Sequence, residues 1–243
     1  MTGATEREEV PQIGTPGVVV STAGLGSITA DVAVLFARAD SHYKACAGVD
    51  VWDADRDARK WPGGARVVAH PPCRAWGALR FVAKPRADEK ELARLAVAHV
   101  RRYAGVLEHP VASTLWKECG LAEPGTIDAA GGRCITVDQW HWGHKASKPT
   151  RLYFVGLRYD ELPVQPRRAG APTHCISQGH GVRIGHPRFL PRVTDAEREH
   201  TPPELAFWLV EMARRCQVRP NREFADAPCP ITPITSPPKW TPR

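Results

Sequence analysis

Pro71-Pro72-Cys73 follows the apolar run Arg66-Val67-Val68-Ala69-His70, and Glu108-His109-Pro110 follows Gly105-Val106-Leu107. A thiol and a carboxylate held at strand tips beside proline are what covalent attack on a pyrimidine ring requires. C5 of a pyrimidine is a poor nucleophile until a thiolate adds to C6 and turns the ring into an enamine. That step needs an activated cysteine and an acid that protonates N3 as charge gathers there. Cys73 is the candidate nucleophile and Glu108 the candidate acid. Pro71 and Pro72 fix φ and hold Cys73 rigidly. Arg74, or a helix N-terminus after the thiol, would lower its pKa, and a partly dry pocket would keep a proton on Glu108. The plainer readings stay open: a packing cysteine after a rigid turn, and a strand-end carboxylate paired with an arginine.

Alternating short elements must carry these two residues. Val32-Ala33-Val34-Leu35-Phe36 and Val67-Val68-Ala69 are continuous apolar runs, the mark of strands buried on both faces. Asp88 to Tyr103 reads as a helix, with Leu92, Leu95, Ala96, Val100 and Tyr103 on one face. Gly105 ends it, Val106-Leu107 starts a third strand, and Leu152-Tyr153-Phe154-Val155 is a fourth. Thr201-Pro202-Pro203-Glu204 predicts a helix start with a Thr–Glu capping box, running to about Cys216. Strand, helix, strand at this spacing predicts an α/β fold, a mostly parallel sheet covered by helices. Ligands of such sheets bind at the carboxyl ends of the strands, and Cys73 and Glu108 both follow such ends.

The chain has 243 residues, 42% hydrophobic and 24% charged, the balance of a globular protein with one large domain or a domain plus a small insert. Its net charge of +7 suits a polyanionic partner such as DNA, though solubility alone would also account for it. No apolar stretch reaches membrane-spanning length, and Met1 to Glu9 carries no signal-type segment, so a cytoplasmic location and no membrane partner are expected. The seven cysteines, Cys46, Cys73, Cys119, Cys134, Cys175, Cys216 and Cys229, form no CxxC pair. That argues against structural zinc and for free thiols, with Cys119, Cys134 and Cys216 as packing residues. No metal site and no protein partner are expected, and a monomer is.

Val67 to Cys73 resembles the Pro-Cys motif of DNA cytosine-5 methyltransferases, and Gly105 to Pro110 resembles their Glu-Asn motif, with His109 in place of Asn. Val137-Asp138-Gln139, Trp142-Gly143-His144 and Lys148-Pro149-Thr150-Arg151-Leu152 are similar to a later Gln and Lys-x-Thr region of phage-type relatives. The resemblance covers roughly residues 32 to 216. It implies a Rossmann-like, methyltransferase-type sheet with helices on both faces and a small loop-rich insert. It implies that Cys73 adds to C6 of a flipped cytosine and that Glu108 binds N3 and the exocyclic amine. Pro72, Arg74, His109, Gln139, Lys148 and Arg151 are then the substrate- and DNA-binding candidates. S-adenosylmethionine is the implied methyl donor, with Phe36 and Asp53 as the cofactor-binding positions.

Two departures accompany it. Phe36 runs into Ala37-Arg38-Ala39-Asp40-Ser41, without the Phe-x-Gly-x-Gly loop that cradles the donor in the family. Gly24-Leu25-Gly26-Ser27, after Val18-Val19-Val20, is either a displaced glycine loop or a simple turn. The aspartates Asp50, Asp53, Asp55 and Asp57 are either donor contacts or a solvated acidic loop. The recognition region is also short. Three readings follow: a cytosine-5 methyltransferase-like enzyme, a C5-modifying enzyme with another donor or a nucleotide substrate, and an inactive nucleic-acid-binding relative.

The expected organisation is a disordered arm over 1–16, a catalytic α/β domain over 17–156 and a basic recognition-like insert over 157–193. A closing helix over 194–218 and a proline-rich tail over 219–243 complete it.

Overall fold

The computed structural model describes residues 30–179 and 181–218. The arm over 1–16, the Gly24–Ser27 segment, the tail over 219–243 and Cys229 lie outside the described residues.

Six strands form one sheet: β1 (Val32–Leu35), β2 (Val49–Trp52), β3 (Arg66–Ala69), β4 (Gly105–Pro110), β5 (Arg133–Asp138) and β6 (Pro149–Val155). Their order across the sheet is β2-β1-β3-β4-β6-β5. β1 pairs in parallel with β2 and β3, and β3 in parallel with β4, while β6 runs antiparallel to both β4 and β5. The sheet is thus mostly parallel, as expected for an α/β Rossmann-like fold, with β6 the reversed strand.

Alternate residues of each central strand feed two separate cores. Leu35, Val67, Ala69 and Leu107 pack against α1 (Glu89–Tyr103), together with Leu92, Ala93, Ala96, Val97 and Val100. Val34, Val68, Val106 and Phe154 pack on the other face, against Leu205, Leu209, Met212 and Ala213 of the C-terminal helix. Burial on both faces is why these strands read as continuous apolar runs. Two short helices, α2 (Leu115–Glu118) and α3 (Asp195–Glu199), precede that last helix, α4 (Pro203–Arg215). The capping box expected at Thr201 is not formed. Pro203 occupies the first helical position, so Pro202 is the cap residue and has no side chain to accept a bond. A Thr–Glu box closes α3 instead, between Thr194 and Glu197.

The connections β1–β2 and β2–β3 hold only single 3-10 turns, His42–Ala45 and Ala58–Lys60. Among the described residues of 162–193 there is no helix or strand, only isolated bridges pairing Ala146 with His174 and Cys175 with Arg192. No helix among the described residues is long and apolar enough to cross a membrane. Cys46, Cys73, Cys134, Cys175 and Cys216 are free thiols, whereas Cys119 is disulfide-bonded, which corrects the expectation of thiols throughout.

Gly105 has φ +131, and a Cβ built there would lie 2.0 Å from the carbonyl oxygen of Val67 in the neighbouring strand. Gly105→Ala is therefore expected to lower stability by about 4 kcal/mol or more, read as a fall in the urea midpoint. An unchanged midpoint would show that β3 and β4 are not packed this closely.

Candidate active site at the carboxyl edge of the sheet

The parallel strands all end at one edge, and the reversed strand β6 begins there. Residues following β1, β3, β4 and β5, and those opening β6, therefore converge. The strand order reverses around β1, because β2 lies on one side of it and β3 on the other. The carboxyl edge at such a switch is where α/β sheets hold ligands.

Cys73 stands in the turn after β3. Its carbonyl accepts from the backbone N–H of Trp76 at 3.0 Å and of Gly77 at 2.8 Å. Trp76 is fully buried and belongs to the α1-side core, so the turn is pinned from below. No helix starts after Cys73, since α1 begins only at Glu89. Arg74 is exposed and its guanidinium goes to the buried Glu89. Neither expected source of activation reaches the thiol. Burial pushes the Cys73 thiol up, Glu108 adds to this, and Lys148 pulls it partly back. Cys134 and Cys216, fully buried, are pushed up to about 12, as suits packing residues.

Glu108 is the fourth residue of β4 and sits at the centre of a hydrogen-bonded chain. His70, just beyond β3, donates from Nδ1 to its Oε2 at 3.1 Å. Nε2 of His70 accepts from the hydroxyl of Tyr43 at 2.7 Å. On the other side Gln139 Nε2 donates to Glu108 Oε1 at 3.3 Å and to Thr150 Oγ1 at 2.9 Å. Burial pushes the Glu108 carboxyl up, but His70, Lys148 and His109 outweigh it and hold the group at about 2. The expectation that a dry pocket keeps a proton on Glu108 is thus corrected. Burial favours the proton, but the cationic and donor groups around the carboxyl win. The acceptor-only carboxylate fixes the proton of His70 on Nδ1, which leaves Nε2 to accept from Tyr43.

Gln139 and Lys148 come from the β5–β6 hairpin. Asp138, at the end of β5, accepts from the backbone N–H of Trp140 at 3.0 Å and of Lys148 at 2.8 Å, which sets the loop. Lys148 reaches the carbonyl of His200 at 3.4 Å. Burial lowers its pKa, while Glu108 and Cys73 raise it. Lys148→Met is expected to slow alkylation of Cys73 by iodoacetamide several-fold at neutral pH, because the thiol loses the charge that draws it down. An unchanged rate would place Lys148 out of reach of the thiol.

Two candidates lie on the opposite face. Successive strand residues point to opposite sides, so His109 turns away from Glu108 and packs edge-on against Trp116 at 5.9 Å. It is fully buried, and burial lowers it to about 4 against the opposing pull of Glu108 and the Pro72 backbone. Arg151 pairs with His109 in register and bonds Glu123 at 3.0 Å, with its guanidinium 5.1 Å from the Trp116 ring. His109 meets the Pro72 backbone and Arg151 the Trp116 ring, on the face of β4 away from Glu108.

The donor corner that the resemblance implies for S-adenosylmethionine lies at the ends of β1 and β2. Phe36 takes φ +62 directly after β1, and its side chain packs with Leu35, Trp61 and Ala69 in the core. Asp53 is buried: its Oδ1 accepts from the backbone N–H of Asp55 and Arg56, and its Oδ2 holds Lys44 at 2.8 Å. Arg38 is bound to Asp40 and to Glu199 of α3, and Asp40 also holds His200 at 2.9 Å. Among the described residues, Asp53, Asp50, Asp57, Arg38 and Asp40 at this corner are all engaged within the chain. Phe36 and Asp53, as described, do not offer the contacts to S-adenosylmethionine that the resemblance implies.

Sequence reasoning passed over the loop after Cys73. Leu79, Phe81 and Val82 are exposed there, with the Arg80 guanidinium 4.1 Å over the Phe81 ring. It also left Tyr43, His70 and Thr150 without a role. A histidine directly between a strand and Pro-Pro-Cys was the available signal. In the basic segment, Arg167, Arg168, Arg183, Arg188 and Arg192 are exposed, and a cavity of about 570 Å³ lies between Ser147 and the stretch from Pro172 to Leu190. Neither a protein-family model nor a curated protein matches the chain.

Proposed function

We propose that the chain is an enzyme that modifies cytosine in DNA by covalent addition, with Cys73 attacking C6 and Glu108 serving N3. One observation carries this reading. Cys73, in the turn after β3, and Glu108, on the neighbouring parallel strand β4, stand at the carboxyl edge of the sheet, where the Glu108 charge pushes the thiol up and Lys148 draws it down.

The reaction begins with a base turned out of the stack. The Cys73 thiol loses its proton to water, and the thiolate bonds to C6. The C5–C6 π pair moves toward C4, and the displaced charge settles on N3, which takes a proton through Glu108. A proton on Glu108 has a second effect: it removes the negative charge that holds the thiol up. Acid and nucleophile are therefore armed together. Lys148 steadies the thiolate from the other side. Gln139 fixes the carboxylate in the plane that N3 and the exocyclic amine must share. The exposed arginines and the Phe81 loop support a nucleic acid partner, since cations follow phosphates and aromatic faces stack on bases.

The engaged donor corner favours a second reading of the same site, in which a C5 group comes from a donor other than S-adenosylmethionine. Titration calorimetry separates the two. Heat and saturable binding of S-adenosylmethionine would restore methyl transfer, and their absence supports the other donor. The addition itself is tested with a duplex in which 2-pyrimidinone replaces cytosine. This base lacks the 4-amino group that feeds electrons to the ring, so a thiol adds to C6 without any donor. A complex that survives denaturation is expected.

A further inference from the structure

We propose that His70, held by the Tyr43 hydroxyl, relays to Glu108 the proton taken by N3 of the bound base. The inference rests on the addition at C6 proposed above and gives roles to two residues to which the resemblance assigns none.

The geometry is a line of three groups on three consecutive segments of the edge. The Tyr43 hydroxyl is 2.7 Å from His70 Nε2, and His70 Nδ1 is 3.1 Å from Glu108 Oε2. Tyr43 lies in the 3-10 turn after β1, His70 just beyond β3, and Glu108 on β4, so the sheet itself sets the spacing. The backbone N–H of His70 donates to the carbonyl of Leu35 at 3.0 Å, which ties the imidazole to the end of β1.

Glu108 alone has a difficulty. As a carboxylate it accepts from the exocyclic amine of cytosine, but it faces N3, another acceptor, with no proton to give. His70 resolves this. Its side chain keeps 12% exposure, so water reaches the ring, whereas Tyr43 is 1% exposed and exchanges nothing directly. The Tyr43 hydroxyl both donates and accepts. It donates to Nε2 when His70 is neutral and accepts from Nε2–H when His70 is charged, so both states are satisfied without movement. The steps then balance. A proton from water bonds His70 Nε2 as the Tyr43 hydroxyl turns from donor to acceptor; Nδ1–H passes to Glu108; Glu108 passes a proton to N3 as the Cys73–C6 bond forms. The thiol has meanwhile given one proton to water, so one leaves and one enters. Elimination runs the same path backwards.

His70 is a positioning and proton-supplying residue, since it acts through Glu108. The test uses the full chain and the 2-pyrimidinone duplex, with the rate of covalent capture and the duplex Kd measured separately. His70→Asn keeps an N–H beside Glu108 but cannot carry a second proton. It is expected to slow capture about 100-fold with Kd within about twofold, and Tyr43→Phe about tenfold with Kd unchanged. Nitrogen NMR of the wild-type protein should find neutral His70 protonated on Nδ1. Wild-type capture rates in His70→Asn, equal losses in rate and Kd, or a proton resident on Nε2 would each overturn the relay while leaving the addition standing. Failure of the wild-type protein to capture the duplex would overturn the functional reading itself.

Discussion

Cys73→Ser is expected to fold, bind DNA and form no covalent complex with the 2-pyrimidinone duplex. Serine differs from cysteine by one atom, and the turn that holds it is built by its neighbours. Pro71 is buried, Trp76 anchors the far side, and two backbone N–H groups close on the Cys73 carbonyl. None of these contacts involves sulfur. What is lost is nucleophilicity: a serine hydroxyl here has no adjacent base, since the nearest carboxylate is occupied by His70 and Gln139. Capture that persists in Cys73→Ser would assign the nucleophile elsewhere.

Glu108→Gln should produce two effects of opposite sign. Capture is expected to slow about 1,000-fold, within the range for loss of a general acid, because the amide cannot pass a proton to N3. Alkylation of Cys73 by iodoacetamide should become faster. The Glu108 charge is one of the two main influences that hold the thiol up, and the substitution removes it. A variant that merely disturbed the fold would move both rates in ways unrelated to charge. Loss of capture with slower alkylation would contradict the coupling of acid and nucleophile at this site.

The parts of the fold that were legible in the amino-acid sequence were those buried on both faces. β1, β3 and β4 are interior strands and showed as apolar runs, and α1 showed through the stripe that packs on β3 and β4. The strands missed, β2 and β5, are the two edges of the sheet. Asp50 and Trp52 in β2 are only partly buried, and Asp50 pairs with Arg56, so this strand read as part of an acidic loop. β5 likewise carries Arg133 and Thr136 among its apolar residues.

The site divided in the same way. Cys73 and Glu108 could be found because proline and strand ends mark them. Which face a neighbour takes depends on strand register, which no local pattern contains. Thr150 therefore joins the chain at Glu108, while Arg151, one residue later, stands with His109 on the other side. Tyr43 and His70 are linked across 27 positions by strand order alone. The donor corner reads oppositely. The absence of glycine after β1 was visible, and the cause became plain only in the fold. A 3-10 turn replaces the helix that would follow β1, and it carries Lys44 onto Asp53.

The most direct test of the central claim is peptide mapping by mass spectrometry of the protein captured on the 2-pyrimidinone duplex. The account predicts one modified peptide, containing Pro71-Pro72-Cys73, heavier by the nucleotide remnant and attached through sulfur. An adduct on any other residue, or no adduct while the duplex is demonstrably bound, would contradict it.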